Sequence, residues 1–138
     1  SAAKTTGTRV VGNTIKAGAA YAGIDVFGTN LTTAVAEDTL ISGNSIVVGS
    51  TNIPYRSAFA ARTRFCDNTT NGGFALYMEN QAGFVASGNA LIAAGATNTY
   101  LAAAMTGFKF ANDNVESGGS HSIGSVTSGT PLFEAAMA

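Results

Sequence analysis

The side chains able to do chemistry are few and scattered. His121 is the one histidine and Cys66 the one cysteine in 138 residues. A Ser–His–Asp arrangement would have to be built around His121, yet the chain has no Gly-x-Ser-x-Gly elbow. A surface position beside a turn accounts for this histidine. One histidine with distant carboxylates has no metal-ligand spacing. Gly118-Gly119-Ser120-His121 lacks the Lys and the strand–loop–helix setting of a phosphate loop. No metal and no cofactor are therefore expected. Cys66 falls in a strand-like run beside Asp67 and Asn68, where a small buried hydrophobe is expected. What remains is Asp25, Arg62, Tyr77, Glu79 and Tyr100, all on or beside short strand-like runs, and an asparagine that keeps returning.

These residues sit in a chain of unusual composition. Hydrophobic residues make up 46% and charged residues only 11%, with seven basic against eight acidic side chains and a net charge of −1. About a quarter charged is typical of globular domains. The balance gives no electrostatic footprint for a nucleic-acid partner. Disorder would need low hydrophobicity and high net charge. A single cysteine excludes a disulfide framework. No apolar run approaches the roughly 18 residues of a membrane span, so membrane insertion is not expected, and no signal peptide is visible. Gly, Ala, Ser, Thr and Asn replace the missing charge, and only Pro54 and Pro131 interrupt the chain. Such a composition favours short strands joined by tight turns.

A search for internal repeats supplies the organisation. The runs Val10-Val11-Gly12-Asn13-Thr14-Ile15 and Ile41-Ser42-Gly43-Asn44-Ser45-Ile46 share one pattern. Phe65-Cys66-Asp67-Asn68-Thr69-Thr70 and Val85-Ala86-Ser87-Gly88-Asn89-Ala90-Leu91 repeat it. A weaker fifth copy is Phe110-Ala111-Asn112-Asp113-Asn114-Val115. The Asn spacings are 31, 24 and 21, then 23 or 25 according to which Asn of the last copy is in register. Between these motifs lie runs such as Gly23–Phe27, Ser57–Ala61, Gly73–Met78, Tyr100–Met105 and His121–Val126. In the first, Ile24 and Val26 oppose Asp25; in the third, Phe74, Leu76 and Met78 oppose Ala75, Tyr77 and Glu79.

Stacked coils explain the pattern physically. The same turn recurs one strand spacing above itself, about 4.8 Å. An asparagine tolerates the left-handed backbone such a turn requires, and its amide can both donate to and accept from the next one. The ladder expected is Asn13, Asn44, Asn68, Asn89 and Asn112, with Ile15, Ile46 and Leu91 stacking inward. A helix over Leu91–Met105 is broken by Gly95, Thr97, Asn98 and Thr99. A β-sandwich also uses short strands but gives no reason for Asn to return at coil-sized spacing.

The Gly-Asn-x-Ile motif, its spacing and the alternating second strand resemble the right-handed parallel β-helix of pectate-lyase-like proteins and phage tailspikes. The resemblance covers roughly residues 8–127, and is closest to a tailspike segment. It implies an all-β solenoid of about five coils and carbohydrate as the partner. Glycoside hydrolysis needs two carboxyl groups at a set separation. Asp25 and Glu79, two coils apart, would lie roughly 10 Å from each other by strand spacing alone, at the far limit for an inverting pair. Arg62, Tyr77 and Tyr100 would be the glycan-binding residues, the two tyrosines neighbouring in consecutive coils as a platform for sugar rings. Ordinary solvent-facing positions or contacts between copies are the alternative for all five. The clustered acids of the lyases are missing, so a hydrolase fits better than a lyase.

Two stretches do not fit the coil: residues 31–38, expected to protrude, and residues 49–56, a loop stiffened by Pro54. Residues 116–120 read as a turn. Residues 1–130 form the solenoid segment, and 131–138 a C-terminal cap or tail in which Leu132 and Phe133 cover the open end. With no capping helix and no initial Met, the chain reads as a piece of something longer. Thin, Ala-rich coils bury little core, and a surface poor in charge suits packing against other copies. The expected assembly is a homotrimer. The expected function is a structural and host-polysaccharide-binding segment of a tailspike-like fibre, on a virion tail or otherwise extracellular. A glycan-cleaving hydrolase of the same fold, or a cell-surface adhesin module, are the alternatives.

Overall fold

The computed structural model describes residues 4–18, 21–30, 35–95, 97–118, 120–123, 126 and 129–134. Among them there is no helix, and every strand pairing is parallel. The strands assemble into three walls. A six-stranded wall contains Arg9–Val11, Leu40–Ser42, Arg64–Cys66, Val85–Ser87, Lys109–Phe110 and Leu132–Phe133. A five-stranded wall contains Thr14–Ala17, Ser45–Val48, Thr69–Gly72, Ala90–Ala93 and Val115–Ser117. The long wall contains Ala22–Phe27, Ile53–Ala61, Leu76–Ala82, Thr97–Thr106 and Ser120–Ile123. Ala36–Glu37 and then Thr5–Thr6 add to it at the far end of Ile53–Ala61. The chain visits the walls in rotation, so each strand pairs with its equivalent one circuit later. This is a parallel β-solenoid, and its five-stranded wall passes through four complete turns.

Period-two alternation fills the interior with files of side chains in register. The six-stranded wall sends in Val10, Ile41, Phe65, Ala86, Phe110 and Phe133. The five-stranded wall sends in Ile15, Ile46, Thr70 and Leu91. From the long wall come Ile24, Tyr55, Leu76 and Thr99, then Val26, Ser57, Met78 and Leu101. Tyr55 and Phe65 meet at 4.7 Å between ring centroids, and Phe84 stacks on Phe108 at 5.4 Å. Truncating one such buried ring to Ala costs about 3–5 kcal/mol. The polar Ser57 is satisfied inside: its hydroxyl donates to Gln81 Oε1 at 3.1 Å, and Gln81 Nε2 donates to the Ser57 and Glu79 carbonyls.

Circuit length varies at the corners and, within the long wall, at a bulge. Gly49–Asn52 is a turn between the five-stranded and long walls, and the corresponding corner one circuit later is shorter. A β-bulge at Ala103, φ +58°, adds one residue between Ala102 and Met105 relative to Glu79 and Gln81.

Several expectations need correction. Residues 49–56 are not one loop, because Ile53–Ala61 is a strand that includes Pro54. Proline is admitted near a strand's start, and two glycines clear its space, Gly23 on the paired strand Ala22–Phe27 and Gly72 at the end of Thr69–Gly72 in the five-stranded wall. A Cβ on Gly72 would come within 2.6 Å of Pro54 Cδ, and one on Gly23 within 2.8 Å of the Pro54 carbonyl. Within residues 31–38, Val35 and Ala36 are buried and Ala36–Glu37 is a strand rather than part of a protruding loop; residues 31–34 lie outside the described ones. Residues 116–120 are not a turn throughout, since Val115–Ser117 is a strand and Ser120 begins another. Phe74 does not join Leu76 and Met78 inside, because the strand begins at Leu76 and Phe74 packs edge-on against Tyr77. Leu132–Phe133 is the last strand of the six-stranded wall, with Phe133 against Phe108 and Phe110. Residues 135–138 of the expected tail lie outside the described ones.

Candidate functional site

Each ladder asparagine sits one residue before a strand of the five-stranded wall. Asn44 Oδ1 accepts from the backbone N–H and side-chain amide of Asn13 at 2.9 and 3.1 Å. Asn68 does the same for Asn44 at 3.0 and 2.9 Å, and Asn89 for Asn68 at 2.9 and 3.2 Å. The next acceptor is Asn114, at 3.2 and 2.7 Å from Asn89. The amides also reach across the corner, with Nδ2 of Asn44, Asn68, Asn89 and Asn114 donating to the carbonyls of Val10, Ile41, Phe65 and Ala86. Asn112 is not the fifth rung. It is exposed in the turn, whereas Asn114 is buried and precedes Val115, the register partner of Ala90. The ladder is structural, and the chemistry lies elsewhere.

The outward face of the long wall gathers a set of polar and aromatic side chains. Asp25, Arg56, Tyr77 and Tyr100 form one file across four consecutive strands. Tyr77 and Tyr100 stack with ring centroids 5.0 Å apart and planes 16° from parallel. Glu79 stands in the next outward file. The Arg56 guanidinium lies between the two carboxylates, with Nη1 3.5 Å from Asp25 Oδ2 and Nη2 3.7 Å from Glu79 Oε1. Its central carbon is also 5.3 Å from the Tyr21 ring centroid and 5.0 Å from that of Phe27, within cation–π range. Arg56 Nε is buried without a hydrogen-bond partner. Partial burial, and then the adjacent Glu79 carboxylate, raise the Tyr77 hydroxyl above the usual tyrosine range, so it stays a neutral donor.

Asp25, Glu79, Tyr77 and Tyr100 are thus brought together, and Arg62 is not. It occupies a corner with a left-handed backbone, φ +55°. There it holds Asp38 through Nε and Nη2 at 2.7 and 3.0 Å and Glu37 through Nη2 at 3.0 Å, while Lys4 reaches Glu37 from the other side at 3.0 Å. Its corner position follows the end of Ile53–Ala61, past the outward-facing stretch. The arginine of the patch is Arg56, joined by Tyr21 and Phe27. A signal for it existed: Tyr55-Arg56-Ser57 repeats the in–out–in alternation of Ile24-Asp25-Val26. Cys66 is a further correction. It lies half-exposed in the outward file of Val11, Ser42 and Ser87, and Phe65 takes the interior place.

Chemically, stacked phenol rings beside carboxylates and a guanidinium offer an apolar face bordered by hydrogen-bonding groups. Among the described residues no three His, Cys, Asp or Glu side chains are grouped to hold a metal ion. Comparison with protein-family models, curated proteins and solved structures gives no match to this chain.

Proposed function

We propose that the long wall binds glycan, and that the chain is a structural, host-polysaccharide-binding segment of a trimeric, tailspike-like fibre with right-handed coils. The observation that carries this reading is the Tyr77–Tyr100 stack set in one file with Arg56 and flanked by Asp25 and Glu79. Sugar rings place C–H faces on aromatic rings and hydroxyls on charged groups, and this patch presents both on an open wall. Binding is preferred to hydrolysis because a glycosidase pair needs the space between its carboxyls for the scissile oxygen and a water. Here the Arg56 guanidinium stands between them. Trimerisation is supported by the outward Val47, Ile92 and Val115 of the five-stranded wall, the last 67% exposed.

The test is titration of the chain with a panel of bacterial surface polysaccharides, followed by sizing of the products. Binding without shortening is expected, weakened at least tenfold in Tyr100→Ala and in Arg56→Ala. Retained affinity in both variants, or no binding across the panel, would overturn the glycan reading. Shortened products lost in Glu79→Gln would replace it with the hydrolase. A 13.8 kDa monomer by light scattering at high concentration would remove the trimer.

A further inference from the structure

The six-stranded wall carries a file that the linear sequence conceals. Register places Arg9, Leu40, Arg64, Val85, Lys109 and Leu132 beside one another on its outward face, one per strand. Basic and aliphatic side chains alternate strictly along the solenoid axis. With a strand spacing of about 4.8 Å, consecutive cations lie roughly 9.6 Å apart. Arg9 and Arg64 are exposed, and among the described residues the ion pair within the file is Lys109 to Glu134 at 2.8 Å. That pair is itself solvent-facing and of the kind worth little. Beside the basic file runs a second of small side chains, Val11, Ser42, Cys66 and Ser87, which leaves a flat floor with hydroxyls along it. The acids nearest by chain position stand at the corners: Asp38 before Leu40, Asp67 after Cys66 and Glu134 after Phe133.

We propose that this wall binds a linear acidic polysaccharide laid along the solenoid axis, one carboxylate to each basic residue. A polymer with one carboxylate on every second sugar repeats its charge at about two strand steps, the interval between Arg9, Arg64 and Lys109. Leu40, Val85 and Leu132 then contact the C–H faces of the intervening sugars, and Ser42 and Ser87 reach hydroxyls. Nucleic acid fits badly, because each strand of a duplex carries a charge every 3.4 Å or so along its axis and most phosphates would face Leu or Val. The site is on a different wall from Tyr77 and Tyr100, and it stands whether or not that patch binds glycan.

The probe is fluorescent hyaluronan, with one carboxylate per disaccharide, titrated onto the full chain beside neutral dextran, single-stranded DNA of equal length and anionic phosphatidylserine vesicles. Hyaluronan is expected to bind and dextran not, with affinity falling as salt rises. Arg9→Gln and Arg64→Gln should each weaken binding at least fivefold, while Arg64→Lys keeps it within twofold. Lys16→Gln, a basic residue on the neighbouring wall, should also leave it within twofold. Circular dichroism of each variant confirms the fold. No hyaluronan binding, binding unchanged in the Arg9→Gln/Arg64→Gln pair, or tighter binding to DNA would each overturn the proposal. Binding to the vesicles but not to hyaluronan would reassign the wall to a lipid surface and overturn it too.

Discussion

Asn68 Oδ1 receives two hydrogen bonds from Asn44, one from its backbone N–H at 3.0 Å and one from its side-chain amide at 2.9 Å. Asn68 in turn gives its own amide to Asn89 Oδ1 and to the carbonyls of Ile41 and Cys66. Replacing it with Ala strands several buried polar groups at once, each costing about 1–3 kcal/mol. Asn68→Ala should therefore lower unfolding free energy by about 3 kcal/mol or more in urea titration. Asn13 lies exposed at the end of the ladder, and Asn13→Ala should cost under about 1 kcal/mol. Equal losses at the two sites would contradict the ladder's role.

The last rung gives a paired prediction. Asn114→Ala is expected to destabilise by about 2 kcal/mol, because its amide and Oδ1 serve Ala86, Ala111 and Asn89. Asn112→Ala, in an exposed turn, should stay within about 0.5 kcal/mol. Thermal melts of the two variants decide it.

Glycine substitutions should separate crowding from backbone strain. A methyl at Gly72 would press on Pro54 Cδ and Val48 Cγ2 at 2.6 and 2.7 Å. A methyl at Gly83 would meet nothing closer than 3.7 Å, but its φ of +80° disfavours any L side chain. Gly83→Ala should cost about 1–2 kcal/mol, the left-handed penalty alone. Gly72→Ala should cost more, since overpacking adds about 1–3 kcal/mol and the obstacle is a proline ring. Chemical denaturation of both gives the order.

Acid should loosen the corner held by Arg62. Hydrogen bonding from Lys4, and then from Arg62, holds the Glu37 carboxyl below its ordinary 4.5, and hydrogen bonding from Arg62 holds Asp38 below its ordinary 3.8. Both folded values lie under the unfolded ones, so the unfolded chain takes up protons first as pH drops. The contribution is complete above about pH 5 and declines through the range below pH 4. Melting temperature followed down to about pH 2 should fall less steeply in Arg62→Gln than in the parent chain. Parallel slopes would show that the corner plays no part.

The sequence made the ladder legible because the same small-Asn-x-apolar pattern recurs at Asn13, Asn44, Asn68 and Asn89 with amides that can pair from coil to coil, but the left-handed backbone expected at the asparagines belongs instead to the residue before each, Gly12, Gly43, Asp67 and Gly88. It misled at the fifth copy for a physical reason. Val115 was the apolar residue available to mark the strand, but Val115 faces solvent, and Glu116 takes the register place that Leu91 fills one circuit earlier. Arg56 was hidden by Pro54, a residue that reads as a loop unless Gly23 and Gly72 are known to flank it. Phe27 joins the patch by register, in the file of Ala58 and Glu79, and Tyr21 from just before the same strand, both rings lying against the Arg56 guanidinium. The basic file is invisible in the linear sequence, since Arg9, Arg64 and Lys109 are far apart along the chain and only register aligns them.

Circuit length is absorbed at corners and at a bulge while the walls keep register. A single extra residue in this chain is taken up at a corner or, as at Ala103, by a bulge that restores register beyond it. A residue added at Gly49–Asn52 disturbs one corner, but a residue added inside Ser45–Val48 turns a file inside out and misaligns the amide stack beside it. The next harmless step is a whole circuit. Excising residues 45–68 would join Asn44 to Thr69 and hand Asn44 to Asn89 in place of Asn68, with wall meeting wall as before. The molecule can therefore lengthen or shorten by entire circuits, and a genetic duplication of that size would need no redesign elsewhere.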